Sequence, residues 1–179
     1  KTDGIAEVTP TGIVTTQGDH VDVDVIVWST GYDFADGLVS YPVKGVDGRM
    51  LADAWSPFPR AYLGTTIPSF PNLFVVTGPN TGIGHTSAIF LIEAQMDYIM
   101  TAIEEVRSRG ARTIDVTEDA ERSYTEMIHR EMEGTVWEAG GCNSWYKSAD
   151  GHVVVTYPGF SFTFRRLARD FRREDHRGA

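Results

Sequence analysis

A chain of 179 residues, 41% hydrophobic and 23% charged, is long enough for one domain with a sizeable core or for two small lobes. Its formal net charge of −9 argues against a nucleic-acid or membrane-surface binder, because a phosphate backbone repels such a surface. A single cysteine, Cys142, excludes an internal disulfide framework and fits a reducing compartment, and no apolar run approaches the roughly 18 residues of a membrane span.

The sequence opens Lys1-Thr2-Asp3-Gly4, without methionine or a signal-peptide core, and reads as a fragment. The first 31 residues read as β-structure. Ile13-Val14-Thr15-Thr16 is a short predicted strand after the Thr11-Gly12 turn. Val21 to Trp28 begins in strict alternation and ends as an apolar run, the pattern of a strand buried on both faces in a parallel α/β sheet. Residues 35–72 contain Pro42, Pro57, Pro59, Pro68 and Pro71, which exclude a long helix; a meandering connection with short strands is expected. Leu73-Phe74-Val75-Val76-Thr77 is a second predicted buried strand. It runs into a glycine loop and then a helix from about His85 to Arg109. Ile89, Ile92, Met96, Ile99, Ile103 and Val106 form that helix's expected apolar stripe, and Gly110 is placed to stop it. Thr113 to Val116 reads as a strand. Thr117 then caps a helix, with Glu118, Asp119 and Glu121 in its first turn and Gly134 at its end. Loops, a hairpin around Asp150-Gly151 and a helix after Phe160 follow. From Arg165 onward six arginines face three acids, as a solvated terminal helix or tail or as a phosphate-binding patch.

The strand–loop–helix unit at 73–109 carries the most chemistry. Glycines admit close approach of a ligand, and the helix N-terminus offers unpaired N–H groups with partial positive charge. The loop serves either ligand contact or simple strand–helix connection. Gly82-Ile83-Gly84-His85-Thr86-Ser87 almost matches G-x-G-x-x-G, but Ser87 replaces the third glycine and no acid ends a second strand. It is therefore not a Rossmann fingerprint, nor a P-loop, since no Gly-Lys-Ser/Thr follows. His85, placed at the helix start, reads as a neutral capping or packing histidine. The histidines and Cys142 show no zinc-ligand spacing, no G-x-S-x-G elbow occurs, and Cys142 reads as packed. Trp137, Trp145, Tyr146 and Tyr157 pack a loop-rich cap or wall a cleft.

Taken in order, several segments resemble the flavin-dependent monooxygenases of the Baeyer–Villiger type. They are Val25-Ile26-Val27-Trp28-Ser29-Thr30-Gly31-Tyr32-Asp33, Ala61 to Thr66, and Phe70 to Phe74. Gly78-Pro79-Asn80-Thr81-Gly82-Ile83-Gly84-His85-Thr86-Ser87 with Ile92-Glu93-Ala94-Gln95 is the nearest match. Thr135-Val136-Trp137, Gly140-Gly141-Cys142, Ser144-Trp145-Tyr146 and Tyr157-Pro158-Gly159 complete the series. The resemblance implies the C-terminal part of a Rossmann-like α/β FAD/NAD(P)-binding fold with a loop-rich α+β cap. Residues 1–40 would return from the NADPH-binding domain, 41–134 would close the FAD-binding domain, and 135–179 would form an aromatic C-terminal segment. It implies a cytoplasmic enzyme that uses FAD and NADPH to pass one oxygen atom from O2, through a flavin peroxide, to a small ketone. N- or S-oxygenation, or a non-catalytic binding module, are the alternatives. Gly78, Pro79, Asn80, Thr81, Gly82, Gly84, His85 and Thr86 would then meet the flavin edge, and Trp145 and Tyr146 the substrate or NADPH cleft. Lys147-Ser148-Ala149-Asp150-Gly151 departs from the family's asparagine–proline–glycine–lysine run. The nucleotide fingerprints, the H-containing Baeyer–Villiger stretch and the family's flavin-site arginine are absent from these 179 residues, so the chain alone is expected to be inactive.

Overall fold

The computed structural model describes residues 3–30, 41–141 and 144–178. Two units divide the chain, residues 1–32 and 33–179. The first unit is an antiparallel sheet of β1 (Ile5–Thr9), β2 (Gly12–Thr15) and β3 (His20–Asp22), in that order. Thr9 pairs with Gly12 across a two-residue turn, and β2 occupies the strand expected after it. The strand expected over Val21–Trp28 does not form. Pairing ends at Asp22, and Val25, Val27 and Trp28 are 75%, 79% and 69% exposed. A doubly buried strand needs a neighbour on its ladder and layers on both faces. Val23 N–H still reaches Thr11 O at 3.2 Å, but among the described residues no strand pairs with residues 24–30.

The second unit begins with a proline-rich stretch around α1 (Leu51–Ala54). Instead of the expected short strands it has isolated bridges, Lys44 with Met50 and Tyr62 with Thr66. Its order comes from burial: Leu51, Ala54, Trp55, Ala61, Ile67 and Phe70 form a small core of their own. The Trp55 indole N–H closes it by donating to the Arg60 carbonyl at 2.9 Å. Leu73–Thr77 is not a strand either. Its main-chain N–H bonds to the preceding stretch are Leu73 to Phe70 O, 3.1 Å, and Val75 to Thr65 O, 2.8 Å, and among the described residues no neighbouring strand extends a ladder.

The long helix is α2, Ala88–Ser108. It starts three residues later than expected because Ser87 caps it, its hydroxyl accepting the Ile89 N–H at 3.2 Å. His85 therefore lies before the helix and not at its start. The buried face is Leu91, Ala94, Gln95, Tyr98, Ile99 and Ala102. Much of the expected stripe faces outward, with Ile89, Met96 and Ile103 exposed. The helix is apolar around most of its girth, so spacing alone does not choose the face. The small side chains of Ala94 and Ala102 do, by letting the rest of the core close on that side.

β4 (Ile114–Val116) and α3 (Glu118–Met132) follow as expected. Thr117 accepts the Ala120 N–H at 3.2 Å, and Gly134 lies beyond the helix end at φ +73°. α4 (Val136–Ala139) leads to a hairpin in which Lys147 bridges Val153, with Gly151 at φ +86° in the turn. α5 (Ser161–Arg169) packs on α2, and β5 (His176–Gly178) pairs antiparallel with β4. Leu91, Tyr98, Val116, Tyr124, Ile128, Tyr157 and Phe164 belong to the main core. The terminal arginines take the solvated-helix reading: Arg169 meets Asp97 at 3.2 Å and Arg173 meets Glu105 at 3.0 Å. No described helix is long and apolar enough to cross a membrane.

Candidate functional site

The glycine loop divides into an inner and an outer half. Residues 79–81 are buried. Asn80 adopts φ 54°, a left-handed conformation that asparagine tolerates. Its amide N–H reaches Val154 O at 2.8 Å, and its side chain donates to Val153 O (2.8 Å) and Thr156 O (3.1 Å). Gly82 donates to Val155 O at 2.8 Å and accepts from the Tyr157 N–H at 2.7 Å. The inner half is thus zipped to residues 153–157. Its glycines answer to the protein itself: a Cβ on Gly78 would run into the Gly64 carbonyl, and one on Gly82 would lie 2.9 Å from Val155 O.

Gln95 locks the loop's entry. Its side-chain carbonyl accepts the Thr77 N–H at 3.0 Å, and its NH2 donates to Gly64 O (3.1 Å) and Thr65 Oγ1 (2.8 Å). Thr77 has φ 56°, rare for a β-branched residue, and this contact helps hold it there. Gln95 lay inside the segments quoted for the resemblance, but its role was not legible. A lone glutamine at a helical core position is the only signal.

The outer half, Gly84, His85 and Thr86, is exposed. Among the described residues no partner binds the N–H groups of Gly84, His85, Thr86 or Ala88. A Cβ on Gly84 would meet Trp137 Cζ2 at 3.3 Å, and the His85 ring stands edge-on to Phe160 at 6.1 Å. Phe160 stacks on Phe162 at 5.2 Å, and both are exposed. Sequence reasoning gave Phe160 only a boundary role. Free N–H groups beside a helix N-terminus, flanked by aromatic surface, fit the edge of a flat, electron-rich ring such as a flavin.

Trp145 is 43% exposed and packs its ring on Tyr146 at 4.4 Å. One residue ties this aromatic pair to the loop. Val154 donates its N–H to Tyr146 O (2.9 Å) and accepts from Asn80. Tyr157, by contrast, is a core residue, edge-on to Phe164, and burial pushes its phenol up to about 12 with help from Glu131. Gly31, Tyr32, Asp33, Cys142 and Asn143 lie outside the described residues. Apart from His85, the loop from Gly78 to Ser87 carries no side chain that could act as acid or base near neutral pH, so it supplies shape and polarity.

Comparison with known proteins finds likeness to Baeyer–Villiger and FAD-binding monooxygenases. The chain is similar in sequence to Baeyer–Villiger monooxygenases. It is 41% identical over 171 residues to a Baeyer–Villiger monooxygenase of Pseudomonas aeruginosa, covering 95% of this chain and 32% of that protein. The closed crystal structure of cyclohexanone monooxygenase superposes on 99% of this chain and 34% of its own, with TM-score 0.75 and 30% identity. A steroid monooxygenase bound to NADP does so with TM-score 0.73 and 31% identity, over 99% of this chain and 34% of its own. The chain thus spans about a third of the length of the relatives it matches. No family model matches it.

Proposed function

We propose that this chain supplies the C-terminal part of an FAD- and NADPH-dependent monooxygenase that inserts one oxygen atom of O2 beside the carbonyl of a small ketone. The observation that carries the reading is its likeness, over nearly all its length, to Baeyer–Villiger enzymes in sequence and in backbone. In this reading 41–134 closes a Rossmann-like FAD-binding domain, 1–40 returns from the NADPH-binding domain, and 135–179 is the loop-rich α+β cap. The enzyme is cytoplasmic, in keeping with the single cysteine.

The flavin, when bound, supplies the redox chemistry with O2. The chain's residues bind and shield. N–H groups of Gly84, His85, Thr86 and Ala88 meet the electron-rich edge of the ring, where negative charge collects on reduction. Gly78, Pro79, Asn80, Thr81 and Gly82 do not touch the ring. They fix the outer half through their bonds to 153–157 and to Gln95. Trp145 and Tyr146 wall the substrate or NADPH cleft and exclude water.

The test is the full-length protein that carries this sequence, purified and assayed with NADPH, O2 and a cyclic ketone. Bound flavin in its visible absorbance and a lactone one oxygen heavier than the ketone are expected. A colourless protein that oxidises no NADPH would overturn the reading. Oxidation of amines or sulfides with no lactone would leave a flavin enzyme and remove the ketone.

A further inference from the structure

Outside the site just described, three aromatic rings meet where the hairpin touches α3. His152, on the exposed turn of the hairpin, stacks on His129 of α3, with centroids 5.0 Å apart and planes 10° apart. Phe58 closes the group from the 41–72 stretch, 4.4 Å from His152 and 5.3 Å from His129. Val154 holds the first arm of the hairpin through its N–H to Tyr146 O, 2.9 Å, and the turn beyond it has fewer ties. Ser148 N–H reaches His152 O at 2.8 Å, and Lys147 Nζ reaches the Glu138 carbonyl at 3.2 Å. Val153 and Val154, by contrast, are buried at 4% and 2% exposure and zipped to the loop. The histidine stack thus joins the hairpin turn to α3, beyond the anchored residues Val153 and Val154.

We propose that the His129–His152 stack is a proton-sensitive latch, closed while the stacked rings are uncharged and opened by protonation of His129, which frees the hairpin turn, residues 147–152.

Stacked neutral imidazoles on a phenyl ring bury flat apolar faces, whereas two imidazoliums at this separation repel. Burial, and then His152, hold the His129 imidazolium disfavoured; Glu138 of α4 opposes them. The other charged groups nearby do not cancel this. Arg60 lies over Phe58 at 5.8 Å and is paired with Glu121 of α3, while Arg122 and Glu126 line the same cleft. Lys147 adds a further cation on the hairpin side. Because the His129 imidazolium is disfavoured, the stack stays closed through the ordinary histidine range and opens on the acid side of it. The device needs no particular occupant of the cleft and is independent of the proposed reaction.

Hydrogen–deuterium exchange of the 179-residue chain at about pH 7.5 and pH 5.5, corrected for intrinsic exchange, tests it. Peptides covering 147–152 should lose protection about tenfold at the lower pH, while those covering 88–108 stay unchanged. His129→Phe with His152→Phe keeps the stack and removes the titration, so its hairpin should be equally protected at both. Since a change at His129 can disturb α3, His152→Phe alone, on the exposed turn, is the second variant and should at least halve the response. A wild-type hairpin indifferent to pH, or the same loss in both variants, would refute the latch.

Discussion

Glycines in one short loop hold their places for different reasons, and substitution separates them. Gly78 faces the Gly64 carbonyl with no room for a methyl group, and the Gly64 backbone with the Val75 side chain beside it leaves little to shift. Gly78→Ala should destabilise the chain by about 3 kcal/mol in urea melts. Gly84 lies in the open outer half, where a new Cβ meets only the edge of Trp137. Gly84→Val should cost under about 1 kcal/mol, yet in the full-length protein it should weaken flavin binding or turnover, because a branched side chain keeps the ring from the backbone. Equal bound flavin and unchanged turnover in that variant would remove the outer half from the site. Trp145 obeys the same logic. At 43% exposure, Trp145→Ala should change stability by less than about 1 kcal/mol, where a core tryptophan would cost about 3–5. In the full-length enzyme it should also raise the share of NADPH oxidised without product, measured as released hydrogen peroxide. A badly destabilised but fully coupled variant would make Trp145 structural.

At the scale of the element, α2 joins the core to the site through one polar side chain. Gln95 is buried and satisfies groups on both sides of the loop's entry. Gln95→Leu keeps the volume but leaves the Thr77 N–H and the Gly64 carbonyl without partners. A loss of roughly 2–5 kcal/mol is expected from thermal or urea unfolding, against under 0.5 for Met96→Gln on the exposed face of the same helix. Legibility in the sequence follows the same divide. Caps and stops are local, so Thr117, Gly110, Gly134 and the Asp150-Gly151 turn could be read directly. Strands are not local. Val21–Trp28 and Leu73–Thr77 have the composition of buried strands, but a ladder needs a partner, and composition does not show whether the chain contains one. The face of α2 was lost for a related reason, since an apolar helix takes its orientation from what packs on it. Within the site, the loop's position before a helix was legible. Its division into zipped and open halves depends on residues 153–157, some seventy positions away, and no local pattern in the loop encodes that contact.

At the scale of the whole molecule, each unit carries large apolar side chains on its surface. Val25, Val27 and Trp28 in the first unit, and Ile89, Met96 and Met100 in the second, are large, apolar and exposed. The chain also corresponds to only about a third of its relatives' length. Flavin binding should show the same incompleteness. The open N–H groups at 84–88 offer contact to one edge of a ring, whereas a dinucleotide draws much of its affinity from pyrophosphate and adenine sites. Neither a G-x-G-x-x-G turn nor its acid partner occurs in these 179 residues. One edge gives a few hydrogen bonds, each contributing a net of about 1 kcal/mol, which cannot offset the freedom lost on binding. The isolated chain titrated with FAD, followed by flavin fluorescence, should therefore show no saturation in the micromolar range. Stoichiometric binding with a Kd below about 1 μM would mean that the loop and α2 form a complete flavin site, and that the inner half binds ligand as well as its own chain.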